Sequence, residues 1–425
     1  MKKGQVLVWM IAVSFIVSLL GINSAVFAQE DTVTIGLNVP LSGSYQLQGE
    51  DELRSYKLAI DEVNKKGGIL GKKVVYVVKD TQTNATVAGD NARELYTVNN
   101  AVMVTGGSSS ACAISQGEVA GELKRIFMVG LSHSNATTGF VKNPKTGEEY
   151  QAVNRYMFRW YNNGHQTAKA MAKTLLDKFG KDAKYFYITA DYTWGWSVER
   201  SVKRVLEAAG CQTVGSLLVP LGEKSFVPHL LKAKMAKPDV LVIVEFGNDM
   251  INCIKQANSM GLHKEMQVTV PLMELYMAKG AGAEYMQGVI ASEIWVWQLQ
   301  DRYPGSKDYV DKFKARYNKY PGSAAASAWV AINQYADAVE RAGTFDAKAV
   351  IKALEGHRFT LLKDEEYFRD WDHQTVTSCV ILEGKAPSEM VNEWDFFNII
   401  GIVPGEGIAR TREENPVKWK AEEQF

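Results

Sequence analysis

Net charge is the first thing this chain lacks. Its 425 residues carry 48 Lys and Arg against 48 Asp and Glu, so there is no electrostatic footprint for nucleic acid or an acidic membrane surface. Cysteine is scarce too. Cys112, Cys211, Cys253 and Cys379 stand far apart with no C-x-x-C. That argues against a clustered metal site and leaves one disulfide or none as the expectation, since a chain this long needs no staple. The six histidines (133, 165, 229, 263, 357, 373) are never spaced i, i+4, so a helical zinc site has no support. No phosphate-binding G-x-x-x-x-G-K-[ST] occurs, because "GGILGKKV" has the wrong spacing and lacks the hydroxyl. No G-x-G-x-x-G follows a strand, and no G-x-S-x-G forms a nucleophile elbow. His133 near Ser109 imitates a Ser/His pair, but no third group can be nominated to orient it. Neither a catalytic residue nor a cofactor or metal is expected, and the chain does not read as an enzyme.

A second long apolar run is also missing. The one that exists spans Val6 to Leu20, follows Lys2 and Lys3, and leads to "NSAVFAQE", where Val26 and Ala28 fit a small-residue cleavage site before Gln29. This is the pattern of a secretory signal peptide over residues 1–28, and the run is short for a membrane span. No Cys follows it to carry a lipid anchor. The expectation is an exported protein, periplasmic or extracytoplasmic.

What is present is abundant apolar material, 46% of residues, arranged in alternation. "VTIGLNVPLSG" reads as strand then loop. "DELRSYKLAIDEVNKKGG" is helical, with Leu53, Tyr56, Ile60 and Val63 on one face and a stop at Gly67 and Gly68. Further strands and helices alternate up to "IFMVGL", and the pattern restarts after Tyr156. Repeated strand–helix alternation predicts parallel sheets covered on both faces, here in two lobes. No low-complexity linker separates the halves, so the lobes are expected to exchange segments. The tail from Asp372 is strand-rich and irregular. Trp295 and Trp297 read as one face of a crossing strand at period 2. Ten Trp and eighteen Tyr suit core packing, or a cleft in which a ligand stacks.

The stretch "VMVTGGSSSACAIS", Val102 to Ser115, poses the functional question. Three hydroxyls follow an apolar run that ends on two glycines. Ligands gather beyond the carboxyl ends of the strands in an open parallel sheet. Three turns leave that edge in the first lobe: "PLSGSYQLQG", "GGSSSA" and "GLSHSNATTG". Serines before helices are ordinarily N-caps. The free amides and positive end of a helix also attract an anion, and Ser109 and Ser110 add hydroxyls beside them. No Lys or Arg lies between Val102 and Leu123 or between Val129 and Val141.

Taken together, "IGLNVPLSGSYQLQGEDELRSYKLAIDEVNKKGGILGKKVVYVVKDTQTN", "AWVAINQYADAVERAGTFDAKAVIKALEG" and "RDWDHQ" resemble the periplasmic solute-binding proteins of branched-chain amino acid ABC transporters, the leucine/isoleucine/valine-binding type. The resemblance covers nearly all of the mature chain. It implies an α/β fold of the type I periplasmic binding protein kind, two doubly wound lobes joined by three crossover segments near Phe158, "SEIWVWQ" and Trp371. The implied division is a signal peptide over 1–28, lobe 1 over 29–158 and 295–370, and lobe 2 over 159–294, with its C-terminal part and the tail over 371–425. It also implies capture of a small amino acid or related carboxylate and delivery to ABC permease subunits, by a monomer.

Residue by residue, the family's binding serine falls on Ser109 or its neighbour Ser110. Two contacts of the next turn fall on Ser132 and Ser134. Two aromatics of the second lobe fall on Trp194 and Phe246. A first-loop tyrosine falls at Gln48, with Tyr45 close by. The acid that meets a substrate ammonium corresponds most nearly to Glu274, about two residues late, with Glu245 or Asp249 as substitutes. The rival readings are an amide, urea or aromatic acid on the same scaffold, or a ligand-sensing receptor module.

Overall fold

The computed structural model describes residues 31–143 and 145–425. The expected signal peptide over 1–28 lies outside the described residues. The first lobe runs β1 (Thr32–Val39), α1 (Gln46–Lys65), β2 (Lys73–Asp80), α2 (Ala85–Thr97), β3 (Met103–Gly106), α3 (Ser110–Leu123) and β4 (Ile126–Val129). A 3-10 turn at Asn135–Thr138 and a hairpin, β5 (Phe140–Lys142) with β6 (Glu149–Gln151), lead into β7 (Met157–Arg159). The five-stranded sheet has the order β2-β1-β3-β4-β7 and is parallel throughout. Its inner strands β3 and β4 are apolar on both faces because helices cover both, so Met103, Val104, Phe127 and Met128 are all buried, as are Ile35 and Leu37 on one face of β1.

The second lobe repeats the plan with α4 (Gly164–Phe179), β8 (Lys184–Ala190), α5 (Thr193–Ala208), β9 (Gln212–Val219), α6 (Val227–Ala236), β10 (Val240–Val244), α7 (Gly247–Ser259), β11 (Gln267–Val270), α8 (Leu275–Ala281), α9 (Ala283–Met286) and β12 (Ile290–Glu293). Asn163 starts it with a capping box, its side chain taking the Gln166 amide while the Gln166 side chain returns to the Asn163 N–H.

The chain then passes through α10 (Pro304–Tyr317), α11 (Ser323–Ala342), α12 (Ala347–Leu354) and the small antiparallel sheet of β13 (Arg358–Phe359), β14 (Glu366–Phe368) and β15 (Thr375–Val376). It ends with β16 (Cys379–Gly384), β17 (Phe397–Val403) and α13 (Gly405–Ile408). β16 and β17 join the second sheet antiparallel beyond β12, giving the order β17-β16-β12-β11-β10-β8-β9. α10 and α11 return to the first lobe. There Tyr309 meets Ser55 hydroxyl to hydroxyl at 2.9 Å, and the Tyr317 hydroxyl donates to the Arg54 carbonyl at 2.8 Å.

Three crossings therefore join the lobes, after β7, after β12 and after β15. Side chains bind them to one another. The Tyr161 hydroxyl of the first donates to Glu293 at the start of the second, at 2.8 Å. Lys363, 1% exposed, donates to the Ile294 carbonyl of the second and the Ser378 carbonyl of the third. Arg159 and Gln374 pair as an isolated bridge between the first and third.

One local expectation fails here. β12 ends at Glu293 and a 3-10 helix begins at Trp297, so Trp295 and Trp297 do not share a strand face. The chain is leaving the sheet at that point, and each indole finds its own partner: Trp295 donates to the Ser306 hydroxyl at 2.7 Å, Trp297 to the Trp394 carbonyl at 3.1 Å. The four cysteines are all free and buried.

Candidate ligand-binding cleft

Both sheets use the strand order 2-1-3-4-5, which leaves a crevice where chain connections depart in opposite directions, between β1 and β3 in one lobe and between β8 and β10 in the other. In the first lobe the crevice is walled by the serine turns. Ser109 stands at the N-cap of α3 with extended backbone, is 3% exposed, and makes no side-chain cap hydrogen bond. Ser110, Ser132 and Ser134 are brought together but are occupied with each other. The Ser110 hydroxyl accepts from the Ser132 hydroxyl at 3.0 Å and from the Ser134 amide at 3.2 Å. Ser132 also meets Thr137 at 2.7 Å, and Ser134 caps the 3-10 turn through Ala136 N–H at 2.9 Å.

Two charged residues not singled out from the sequence hold these turns in place. Glu52, fully buried on α1, takes the Ser108 hydroxyl at 2.7 Å and the Leu131 amide at 2.9 Å, one from each turn. Arg159, fully buried at the end of β7, donates to the carbonyls of Ser132 and Ser134, to the Thr138 hydroxyl and to Gln374. Glu52 was findable in the sequence: it lies one turn before Tyr56 on the face that continues to Ile60 and Val63, so an amphipathic reading already places it inside.

The second lobe supplies aromatics at the starts of α5 and α7. Trp194 meets Phe246 edge-on with ring centroids 5.7 Å apart, and Tyr192 stacks on Trp194 at 6.1 Å. Tyr45 reaches over from the first lobe to Phe246, centroids 4.9 Å apart, and its hydroxyl meets that of Tyr192. The Trp194 indole donates to His133 Nδ1 at 3.1 Å, and His133 Nε2 faces the Thr167 hydroxyl. His133 is thus engaged through both ring nitrogens. Burial, with Arg159 nearby, lowers its pKa to about 3.

Two of the remaining expected residues, Glu274 and Gln48, lie in an acidic floor. Glu274 caps α8, its Oε2 accepting the Tyr276 amide at 2.8 Å. Gln48 lies beside it on α1. Asp51, also on α1, accepts the Gly322 amide at 2.8 Å. Glu293 accepts from Tyr161 and from the Ile294 amide. All four are at most 2% exposed. The substitute acids lie elsewhere. Asp249 is tied to the Gly222 amide at 2.7 Å. Glu245 is fully buried at the end of β10, where burial, and then repulsion from Asp249, pushes its carboxyl far up. Asp51 and Glu293 carry no motif that the sequence reading used.

Burial raises these carboxyls, to about 7 for Asp51 and Glu52 and about 8 for Glu293. The folded chain thus holds protons that the unfolded chain has already released above its ordinary carboxylate range. Stability from these groups falls as pH rises through the folded values. His133, and His165 at about 2, act only below the ordinary histidine value. Thermal melts of the unliganded protein should therefore show a loss of roughly 3 kcal/mol from pH 6.5 to 8, at about 1.4 kcal/mol per unit for each group while it stays protonated. Flat or rising stability over that window would mean that the carboxyls are ionised in place.

With this geometry in view, the likeness to known proteins has a clear shape. The pattern of the periplasmic binding protein family matches residues 32–388. Leu/Ile/Val-binding protein homolog 7 of Brucella suis biovar 1 is 26% identical over 342 residues, 76% of this chain and 80% of that protein. The crystal structure of a periplasmic binding protein from Burkholderia mallei superposes with a TM-score of 0.83 at 27% identity, covering 92% of this chain and all of that one. A solute-binding protein of an ABC transporter from Rhodopseudomonas palustris BisB5, solved in complex with 3,4-dihydroxybenzoic acid, shares the fold with a TM-score of 0.77 at 21% identity over 88% of this chain and 98% of that one. The chain belongs to the periplasmic binding protein family.

Proposed function

We propose that this protein captures a small amino acid or related carboxylate between its lobes and hands it to ABC permease subunits, after export by a cleaved signal peptide. The family is periplasmic and solute-binding. The observation that carries the reading is Ser109: a buried hydroxyl at the start of a 14-residue helix, at the switch point, not used as a cap. Its hydroxyl and the helix amides suit a carboxylate. Trp194 and Phe246, with Tyr45 opposite, enclose the apolar part, and Glu274 takes the ammonium. Ser110, Ser132 and Ser134 act mainly by holding the turns. Ligand bridging both lobes favours the closed form through its differential affinity, which is how hinge closure works in periplasmic binding proteins.

One observation favours a second reading, an aromatic acid: the wall of Tyr192, Trp194 and Phe246 stacks rings readily, and a Rhodopseudomonas relative was solved with such an acid.

Calorimetric titration with amino acids and aromatic acids separates the two. For the true ligand, Ser109→Ala is expected to lose about tenfold to a hundredfold in affinity, the loss of a hydrogen bond to a charged group. Its denaturation midpoint should move by less than about 0.5 kcal/mol, since no cap bond is lost. Unchanged affinity would remove Ser109 from the site.

A further inference from the structure

The acidic floor is more than one ammonium needs. Glu274 Oε1 and Glu293 Oε1 are buried without a hydrogen-bond partner, and so are both amide atoms of Gln48; Asp51 Oδ1 makes no hydrogen bond and meets only Arg54 Nη1 at the distance of a loose ion pair, 3.5 Å. Gln48, fully buried, lies against Glu274. Asp51 and Glu274 approach each other over Gly322, where any Cβ would collide with the Glu274 carboxylate. They come from opposite lobes, Asp51 from α1 and Glu274 from the start of α8, and Glu293 stands at a crossing. The charges facing them are few. Arg54 Nη1 is 3.5 Å from Asp51, and Tyr276 lies beside it. Glu274 faces only the other two acids. Glu293 feels Lys363, but that ammonium is already held by two carbonyls.

Resting on the amino-acid reading, we propose that the ligand carries two cationic groups: a basic amino acid whose α-ammonium and side-chain guanidinium or ammonium are shared among Asp51, Glu274 and Glu293. Two unpartnered carboxylate oxygens, of Glu274 and Glu293, the Asp51 oxygen that Arg54 faces only at 3.5 Å, and the Gln48 carbonyl make four acceptors. A single ammonium has three donors, and a guanidinium has five in a rigid fork. A buried carboxylate left without a cation stays protonated, and one that gains a cation ionises. Closure around such a ligand also brings acids of opposite lobes onto one charge, so the cation itself couples the lobes.

The test is titration of the full mature chain, cleared of carried-over solute, with L-arginine, L-lysine, L-leucine and 3,4-dihydroxybenzoate near pH 7, in two buffers of different ionisation enthalpy. Arginine or lysine should bind at least about a hundredfold tighter than leucine and release protons, and binding should strengthen from pH 6 to 8. Asp51→Asn and, as a second variant, Glu293→Gln should each cost arginine at least about tenfold and release fewer protons, with cooperative melts showing both to be folded. If leucine binds tighter than arginine, or if arginine binds without proton release, the inference is overturned while the amino-acid reading stands. If only the dihydroxybenzoate binds, the amino-acid reading falls as well.

Discussion

Gly106→Ala is expected to cost on the order of 2–6 kcal/mol, enough to leave much of the chain unfolded. Gly106 is the last residue of β3, at the switch point of the first lobe, with φ of 128°. A Cβ there would run into the Asn38 carbonyl of β1, with the carbonyl carbon 2.8 Å away. Asn38 is paired in register with Gly106, and the Gly106 carbonyl accepts from Gly130 at 2.7 Å, so neither strand can shift without breaking the sheet edge that carries the serine turns. Left-handed strain and overpacking each contribute about 1–3 kcal/mol. Gly67→Ala is the control. Its φ of 106° is strained too, but nothing lies within 4 Å of the added carbon, so about 1 kcal/mol is expected. Urea midpoints of the two variants compare strain alone with strain plus collision. Equal losses would mean that the close approach at Gly106 is soft.

The second large effect is at Arg159. Arg159→Ala should cost about 3–5 kcal/mol, because one guanidinium serves four acceptors that have no water to replace it: the carbonyls of Ser132 and Ser134, the Thr138 hydroxyl and the Gln374 side chain. Burial, with Arg410 nearby, already holds this guanidinium well below its usual range, so the charge is retained under strain for what it positions. Affinity should fall together with stability, since the turns carrying Ser132 and Ser134 lose their common anchor. Arg159→Lys should restore only part of either, because an ammonium cannot fan out to four acceptors in two directions. A variant as stable as the parent in chemical denaturation would show that the loop packs without it.

Both residues illustrate what a sequence displays and what it hides. β1 was legible because "TVTIGLNV" alternates, with Val33, Ile35, Leu37 and Val39 on one face and the turn residues of "PLSG" after it. The helices of both lobes were legible from their 3.6-residue period and glycine stops. Ser109 was legible by position, once the sheet edge was known. The acidic floor was not. Asp51 stands outside the apolar face of α1 and reads as part of a solvated helix start, and only the opposite lobe and α11 make it a buried group. Arg159, in "MFRW", looks like any strand-end arginine until Gln374, 215 residues later, comes to lie beside it. The β5–β6 hairpin stayed hidden because "KNPKTGEE" gives turn and charge signals without an apolar period. Trp295 and Trp297 misled because a two-residue spacing is compatible with a strand and with a chain that is turning away from one.

The return of α10 and α11 to the first lobe bears on the order in which the protein is made. Ser55 waits for Tyr309, 254 residues downstream. The Arg155 guanidinium waits for Glu355, and longer still for the carbonyls of Glu423 and Phe425 at 268 and 270 residues' remove. The Arg410 guanidinium and Asn415 likewise close over the carbonyls of Asn135 and Thr138. A polypeptide emerging from its N-terminus therefore cannot finish its first lobe while it is being synthesised. Contacts this remote also make folding slow. The half that is made first is completed last, and until then it remains a threadable chain.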